Sequence, residues 1–176
     1  MEKKTIRDLG RDTVEQYRAR RKLPLIVVLD NVRSLNNIGA IFRTSDAFLV
    51  DRVMLCGISA TPPSPEIHKT ALGAEDSVEW EYWPDTLGCV RALQEQGVTV
   101  CALEQVKGSI DLRDFQPEPG KAYAIIAGHE VKGVDPDVVN AADICLEIPQ
   151  FGTKHSLNVS VSTGIALWTF FSGLKD

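Results

Sequence analysis

The sequence predicts an α/β fold: a mostly parallel sheet with helices on both faces. Three observations carry this. Its apolar stretches are short continuous runs, not period-two alternations, as strands buried on both faces should be. Each run gives way to a polar or glycine-bearing turn and then, in most cases, to a helical segment, the rhythm of βαβ units. No internal repeat, low-complexity tract or linker divides the 176 residues, a length that suits one domain with its own core.

Residues 23–29 (LPLIVVL) form the first strand, β-branched at its centre. Ile38, Ile41, Phe42, Ser45 and Phe48 then recur at helical spacing, and Asn37 stands where a helix cap is expected. Residues 53–56 are a second strand, closed by Gly57. A proline-rich loop (61–65) and a short stretch (68–74) lead to a strand at 77–83. Pro84 and Gly97 bracket a helix. The second half continues with a strand at 98–103, one helical turn at 111–115 and a buried strand at 122–127 that ends in Gly128. A short helix at 136–141, a strand at 144–148, a loop at 149–155 and an apolar helix at 156–173, capped by Ser156, close the chain.

Bulk properties narrow the function classes. No apolar stretch approaches the roughly 18–20 residues that span a bilayer. The N-terminus, MEKKTIRDLGRD, lacks the apolar core of a secretory signal. Cys56, Cys89, Cys101 and Cys145 form no CxxC pair and read as reduced core thiols, so the cytoplasm is the expected compartment. Net charge is −5, yet the first 24 residues hold eight Lys/Arg against four acids. A basic arm over 1–22 on an acidic body over 23–176 suits phosphate contacts on one face. A solvated helix carrying charge for solubility explains the same residues.

Three polar segments beside glycine fall at strand ends, where open α/β sheets bind ligands. The first, DNVRSLNNIGAIFRTSDAF, sets Gly39 in a first helical turn behind a polar loop, which favours anions at backbone N–H groups. Arg43 follows on that helix, where a guanidinium fork suits a phosphate. A plain capped helix with Arg43 on a solvated face is the alternative. The second, IIAGHEVKGVDPDVV, places His129 and Glu130 directly after a buried strand, with Gly128 permitting close backbone approach. It lacks the second histidine of a zinc HExxH helix, so no metal is expected. Glu130 capping the next helix is the simpler reading. The third, IPQFGTKHSLNVSVSTGIALW, puts Ser156, Asn158, Ser160 and Ser162 at the head of an apolar helix. Such residues are poor helix formers, so capping or a ligand must account for them.

In this order and spacing, the segments resemble the three motifs of the SPOUT superfamily, specifically its SpoU/TrmH-type branch. The likeness rests on Asn37-Ile38-Gly39-Ala40-Ile41-Phe42-Arg43-Thr44, on Gly128-His129-Glu130-Val131-Lys132-Gly133-Val134, and on Ile148-Pro149 through Gly152 with Ser156-Leu157-Asn158-Val159-Ser160. The stretch from Lys69 to Ala74 is also similar to a family segment. The resemblance implies an α/β-knot with a deep C-terminal trefoil knot, an obligate homodimer, and transfer of a methyl group from S-adenosylmethionine to a ribose 2′-hydroxyl of tRNA or rRNA. It implies catalytic roles for Asn37, Arg43, Glu130, Ser156 and Asn158, and a cofactor pocket built around Leu103, Gly128, Ile148 and Leu157.

The family pattern puts Arg43 in the general-base role, but a guanidinium with a pKa above ~12 is a poor base at neutral pH. The expectation is therefore that Arg43 clamps phosphate and ribose while Glu130, Ser156 and Asn158 fix its fork. RNA contacts are expected from Arg18, Arg20, Arg21, Arg43, Lys69, Lys132 and Lys154, with tRNA slightly preferred to rRNA. The acidic body and the lack of a separate RNA-binding domain depart from that picture. Two other classes compete. A catalytically inactive RNA-binding knot protein would label nothing in a methyl-transfer assay. An α/β enzyme acting on a small nucleotide or metabolite would ignore RNA at any salt concentration. The apolar closing helix, with Trp168, Phe170 and Phe171, exposes more than one sheet face can cover, which points to a second subunit.

Overall fold

A computed structural model describes residues 1–5 and 7–175. Among the described residues seven strands form one parallel sheet: β1 (Leu25–Asp30), β2 (Arg52–Cys56), β3 (Glu79–Trp83), β4 (Thr99–Leu103), β5 (Ile110–Asp111), β6 (Tyr123–Ala127) and β7 (Ile144–Glu147). Their spatial order is β3-β2-β1-β6-β4-β7-β5. The late strand β6 is thus inserted between β1 and β4, pairing Leu29 with Ala127 and Ala102 with Ile126. In the same way β7 lies between β4 and β5. The carboxyl ends of β1, β6, β4 and β7 therefore converge on one edge of the molecule.

Both faces are covered, as the continuous apolar runs require. One core gathers Leu25, Val27 and Leu29 of β1 with Ile38, Ile41 and Phe42 of α2 (Leu35–Ala47) and Leu167 and Phe170 of α7 (Val159–Leu174). The other packs Ile26, Val28 and Met54 against Cys89, Val90 and Leu93 of α5 (Thr86–Glu95) and Val138 of α6 (Pro136–Ala141). The alternation lies in which face each strand residue takes, since both faces are apolar.

Several elements differ from the sequence reading. Ser34, not Asn37, caps α2, its side chain accepting the Asn37 N–H at 3.3 Å. Asn158, not Ser156, caps α7, accepting from the Ser160 and Val161 amides. Both shifts have one cause: a longer polar loop offered several candidate caps, and tertiary contacts chose among them. Residues 65–77 fold as α3 (Pro65–Ala71) and α4 (Ala74–Ser77), capped by Ser64 and joined through a left-handed Leu72. The turn expected at 111–115 is instead preceded by β5, which docks on β7.

Gly39 is an interior position of α2, not a ligand approach. A Cβ there would lie 2.2 Å from the Ile67 carbonyl oxygen and from Thr70 Oγ1, so the glycine lets α3 pack against α2. Within the N-terminal segment, α1 (Val14–Ala19) docks on the body: Tyr17 is 6% exposed and belongs to the first core. Of the aromatic residues expected on the outside of α7, Phe170 is buried against Phe115 and Tyr123. The exposed row is instead Val161, Ile165 and Trp168, at 51%, 40% and 57%.

Candidate active site

At the carboxyl end of the sheet a cavity of about 280 Å³ opens between the loops that follow β4, β6 and β7. Its walls include Leu103, Gly128, Glu130, Ile148, Ser156 and Leu157, six of the residues singled out from the sequence, together with Lys132. The size is near the lower end for small-molecule sites, about 300–1,000 Å³. Sequence reasoning missed Glu104 and Glu147, which also line it. A single acidic residue at or just past the end of a strand, like Glu147 or Glu104, carries no signal of its own.

Glu130 is the centre of the site. Its Oε1 accepts the Ser34 N–H at 2.8 Å and the Asn37 side-chain amide at 3.1 Å, and its Oε2 accepts the Arg33 N–H at 3.0 Å. The carboxylate thus caps the N-terminus of α2, where the helix dipole favours negative charge. Burial alone would raise its pKa. The Ser34 and Arg33 amides and the Asn37 side chain more than offset that, and the group is held below the ordinary carboxylate range.

The bonds continue into the third segment. Asn37 Oδ1 accepts from Asn158 Nδ2 at 3.1 Å, and Asn158 Oδ1 accepts from the Ser160 amide at 2.9 Å and the Ser160 hydroxyl at 2.6 Å. Each amide is donor on one side and acceptor on the other, so one orientation of both satisfies the whole chain of bonds. Three segments far apart in sequence are joined at one place.

Arg43 stands apart. It is exposed on the outward face of α2 and does not line the cavity. Among the described residues its side chain makes no hydrogen bond or ion pair. The expected clamp of Glu130, Ser156 and Asn158 on the Arg43 fork is therefore not formed: Glu130 and Asn158 direct their polar atoms to Arg33, Ser34, Asn37 and the start of α7 instead. The reason lies in helix periodicity. Asn37 and Arg43 are six residues apart on α2, roughly 240° around its axis.

Gly128 serves the protein's own backbone. A Cβ there would sit 2.2 Å from Gly133 C and Val134 N, because the loop doubles back through reciprocal His129–Gly133 backbone bonds of 3.0 and 2.9 Å. His129 Nδ1 accepts from the Val131 and Lys132 amides, which fixes the ring's orientation.

The candidate RNA-binding cations are divided. Lys132 is at the cavity, Lys154 is exposed on the loop before α7, and Lys69 pairs with Glu66 on α3 at 2.7 Å. Arg18, Arg20 and Arg21 instead line a separate groove of about 800 Å³ around the amino ends of β1, β2 and β3, beside Arg52, Glu79 and Glu81.

A family model places this arrangement. The SpoU rRNA Methylase family model matches residues 24–168. The chain belongs to that family. It is 32% identical over 158 residues to a tRNA (guanosine(18)-2′-O)-methyltransferase of Thermus thermophilus, covering 90% of this chain and 79% of that protein. It is 30% identical over 165 residues to the 23S rRNA (guanosine-2′-O-)-methyltransferase RlmB of Vibrio cholerae, covering 94% and 66%. Among solved structures, the TrmH/SpoU tRNA modifying enzyme of A. aeolicus superposes with a TM-score of 0.79 at 28% identity, covering 91% of this chain and 81% of that one. An AdoMet-bound rRNA methyltransferase from Sinorhizobium meliloti gives 0.78 at 29% identity, covering 87% and 58%. The chain thus spans less than two thirds of the Vibrio and Sinorhizobium proteins. The α/β architecture read from the sequence is that of these relatives.

Proposed function

We propose that this chain transfers a methyl group from S-adenosylmethionine to a ribose 2′-hydroxyl of RNA. The observation that carries the reading is the unbroken chain of bonds from Glu130, which lines the cavity, through Asn37 to Asn158, whose neighbours Leu157 and Val159 line it. The cavity fits the cofactor: Leu103, Ile148 and Leu157 offer apolar walls for an adenosyl group, and Glu104, Glu130 and Glu147 supply negative charge near a sulfonium and an ammonium. When bound, S-adenosylmethionine supplies an activated methyl group on a cationic sulfur.

The residues of the chain then have an orienting task. In-line methyl transfer depends on holding the acceptor oxygen in line, and no metal is needed for it. Glu130 is not the base, because its oxygens are engaged and its pKa is depressed. It fixes α2 and Asn37. Arg43, exposed and unpaired, is available to fork onto a substrate phosphate. The hydroxyl proton leaves to that phosphate or to solvent. Arg43→Lys should lower turnover at least tenfold, because lysine keeps the charge but loses the fork.

The substrate we favour is tRNA, with the basic segment around Arg18, Arg20 and Arg21 extending the phosphate contacts away from the cavity. A second copy of the chain is the partner that the row Val161, Ile165 and Trp168 on α7 fits, since these apolar side chains are exposed together. The insertion of β6 and β7 between earlier strands supports the knotted C-terminus that the resemblance implied. A reducing compartment, the cytoplasm, suits four free cysteines.

The test is transfer of labelled methyl from S-adenosylmethionine to separated tRNA and rRNA from cells lacking this protein, followed by digestion to nucleosides. Label in 2′-O-methylnucleosides is expected. Label on a base, or in no RNA, would overturn the reading.

A further inference from the structure

We propose that Glu104 is a positioning residue of the cofactor cavity, a role that rests on the methyltransferase reading above. Its carboxylate ties the end of β4 to the 128–134 loop and so sets the separation of two cavity walls. Glu104 directly follows Leu103, the last residue of β4, and lines the cavity. Its Oε2 accepts the Val134 N–H at 2.9 Å, across 30 residues of sequence, and its Oε1 accepts the Gln105 N–H at 2.9 Å. Both oxygens are therefore engaged with backbone.

The contact on the loop side is close. Gly133 has φ +70°, and a Cβ on it would lie 2.1 Å from Glu104 Oε2. Glycine suits this position by its left-handed backbone, and a side chain here would push the Glu104 carboxylate off its bond. The same loop is closed by the reciprocal His129–Gly133 bonds and carries Glu130, whose carboxylate reaches the start of α2. Two carboxylates thus tie one loop to two elements: Glu130 anchors it to the start of α2, and Glu104 anchors it to the end of β4. Leu103 and Gly128, which face the cofactor cavity, are the neighbours of these two anchor points. Releasing the Glu104 anchor leaves the Val134 amide without its acceptor and lets the wall at Gly128 drift from the wall at Leu103.

The experiment compares Glu104→Ala, Glu104→Gln and Gly133→Ala with the full-length wild type. Binding of S-adenosylmethionine and S-adenosylhomocysteine is read by titration calorimetry, and amide hydrogen exchange is followed across 128–134. Glu104→Ala should weaken binding of both at least tenfold and speed exchange at Val134. Glu104→Gln keeps one acceptor oxygen and should recover part of both losses. Gly133→Ala, which strikes the same contact from the other side, should reproduce the binding loss. Weakened binding with unchanged exchange at Val134 would mean that Glu104 touches the ligand itself, and would overturn the positioning role. So would unchanged binding in Glu104→Ala. Failure of the wild type to bind either compound would instead overturn the methyltransferase reading, and this proposal with it.

Discussion

The two ends of the sheet are held by different physics. At the carboxyl end, Asp30, Glu104 and Glu130 accept donors from segments 105, 30 and 97 residues away, and their acceptor oxygens are taken up by backbone and side-chain partners. Around the amino end, the charges pair mostly with near neighbours in sequence: Arg52 with Asp51, Arg20 with Asp12 and Lys121 with Glu118. Arg18 is the exception, reaching the Asp76 carbonyl. The difference teaches where charge organises this fold. Carboxylates bonded across the chain, Asp30 buried and Glu104 and Glu130 partly so, hold loops in place, whereas exposed local pairs contribute about 0–1 kcal/mol each.

The largest expected effect lies at the carboxyl end. Glu130→Ala should lower single-turnover methyl transfer at least a hundredfold at saturating cofactor, since displacement of a positioned group by about 1 Å costs that much. An unchanged rate would break the contrast between the two ends.

Asp30 is next. It is 1% exposed and accepts from Thr86 Oγ1 at 2.5 Å, Asn31 Nδ2 at 2.8 Å and the Asp135 amide at 2.7 Å. Asp30→Ala leaves the buried Thr86 hydroxyl and the partly buried Asn31 and Asp135 donors without their acceptor and should cost about 2–4 kcal/mol in urea denaturation.

A subtler effect is the pH dependence of the Glu130 contribution. Its folded pKa is depressed, so the stability it adds is present above its unfolded pKa and is lost as pH falls through the lower, folded value. The stability difference between wild type and Glu130→Gln should be constant from pH 6 to 8 and shrink only below the ordinary carboxylate range. A difference that changes between pH 6 and 8 would show that Glu130 titrates near neutrality.

The smallest change is expected at the amino end. Arg20→Ala removes a pair with Asp12 whose arginine side chain is 58% exposed, and should alter stability by less than about 1 kcal/mol, less still in high salt.

The contrast also explains what was legible in the sequence. Five of the seven strands announce themselves as β-branched or apolar runs, whereas the edge strand β3 (Glu79–Trp83) alternates glutamate with aromatics and is largely exposed. The two-residue β5 has no pattern to read and exists only because β7 offers it an edge. The short helices α3 and α4 were hidden behind prolines, although Ser64-Pro65 is a cap followed by the residue best suited to a first turn. Within the site, Gly128, Glu130 and Ser156 stood out as polar or glycine positions at strand ends. Glu104 did not, because its importance lies in a partner 30 residues on. Nor did the separation of Arg43 from Glu130, which is set by the rotation of α2 against the sheet. Gly39 and Gly128 were noticed for ligand approach, whereas the protein's own backbone fills the space beside them.

The most direct test of the bonded chain at the carboxyl end is a double-mutant cycle between Glu130→Gln and Asn158→Ala, read as single-turnover methyl transfer at saturating cofactor. If Glu130, Asn37 and Asn158 act as one unit, the double variant should be no slower than the slower single variant, a coupling of about 1–2 kcal/mol. Rate losses that simply multiply would contradict it.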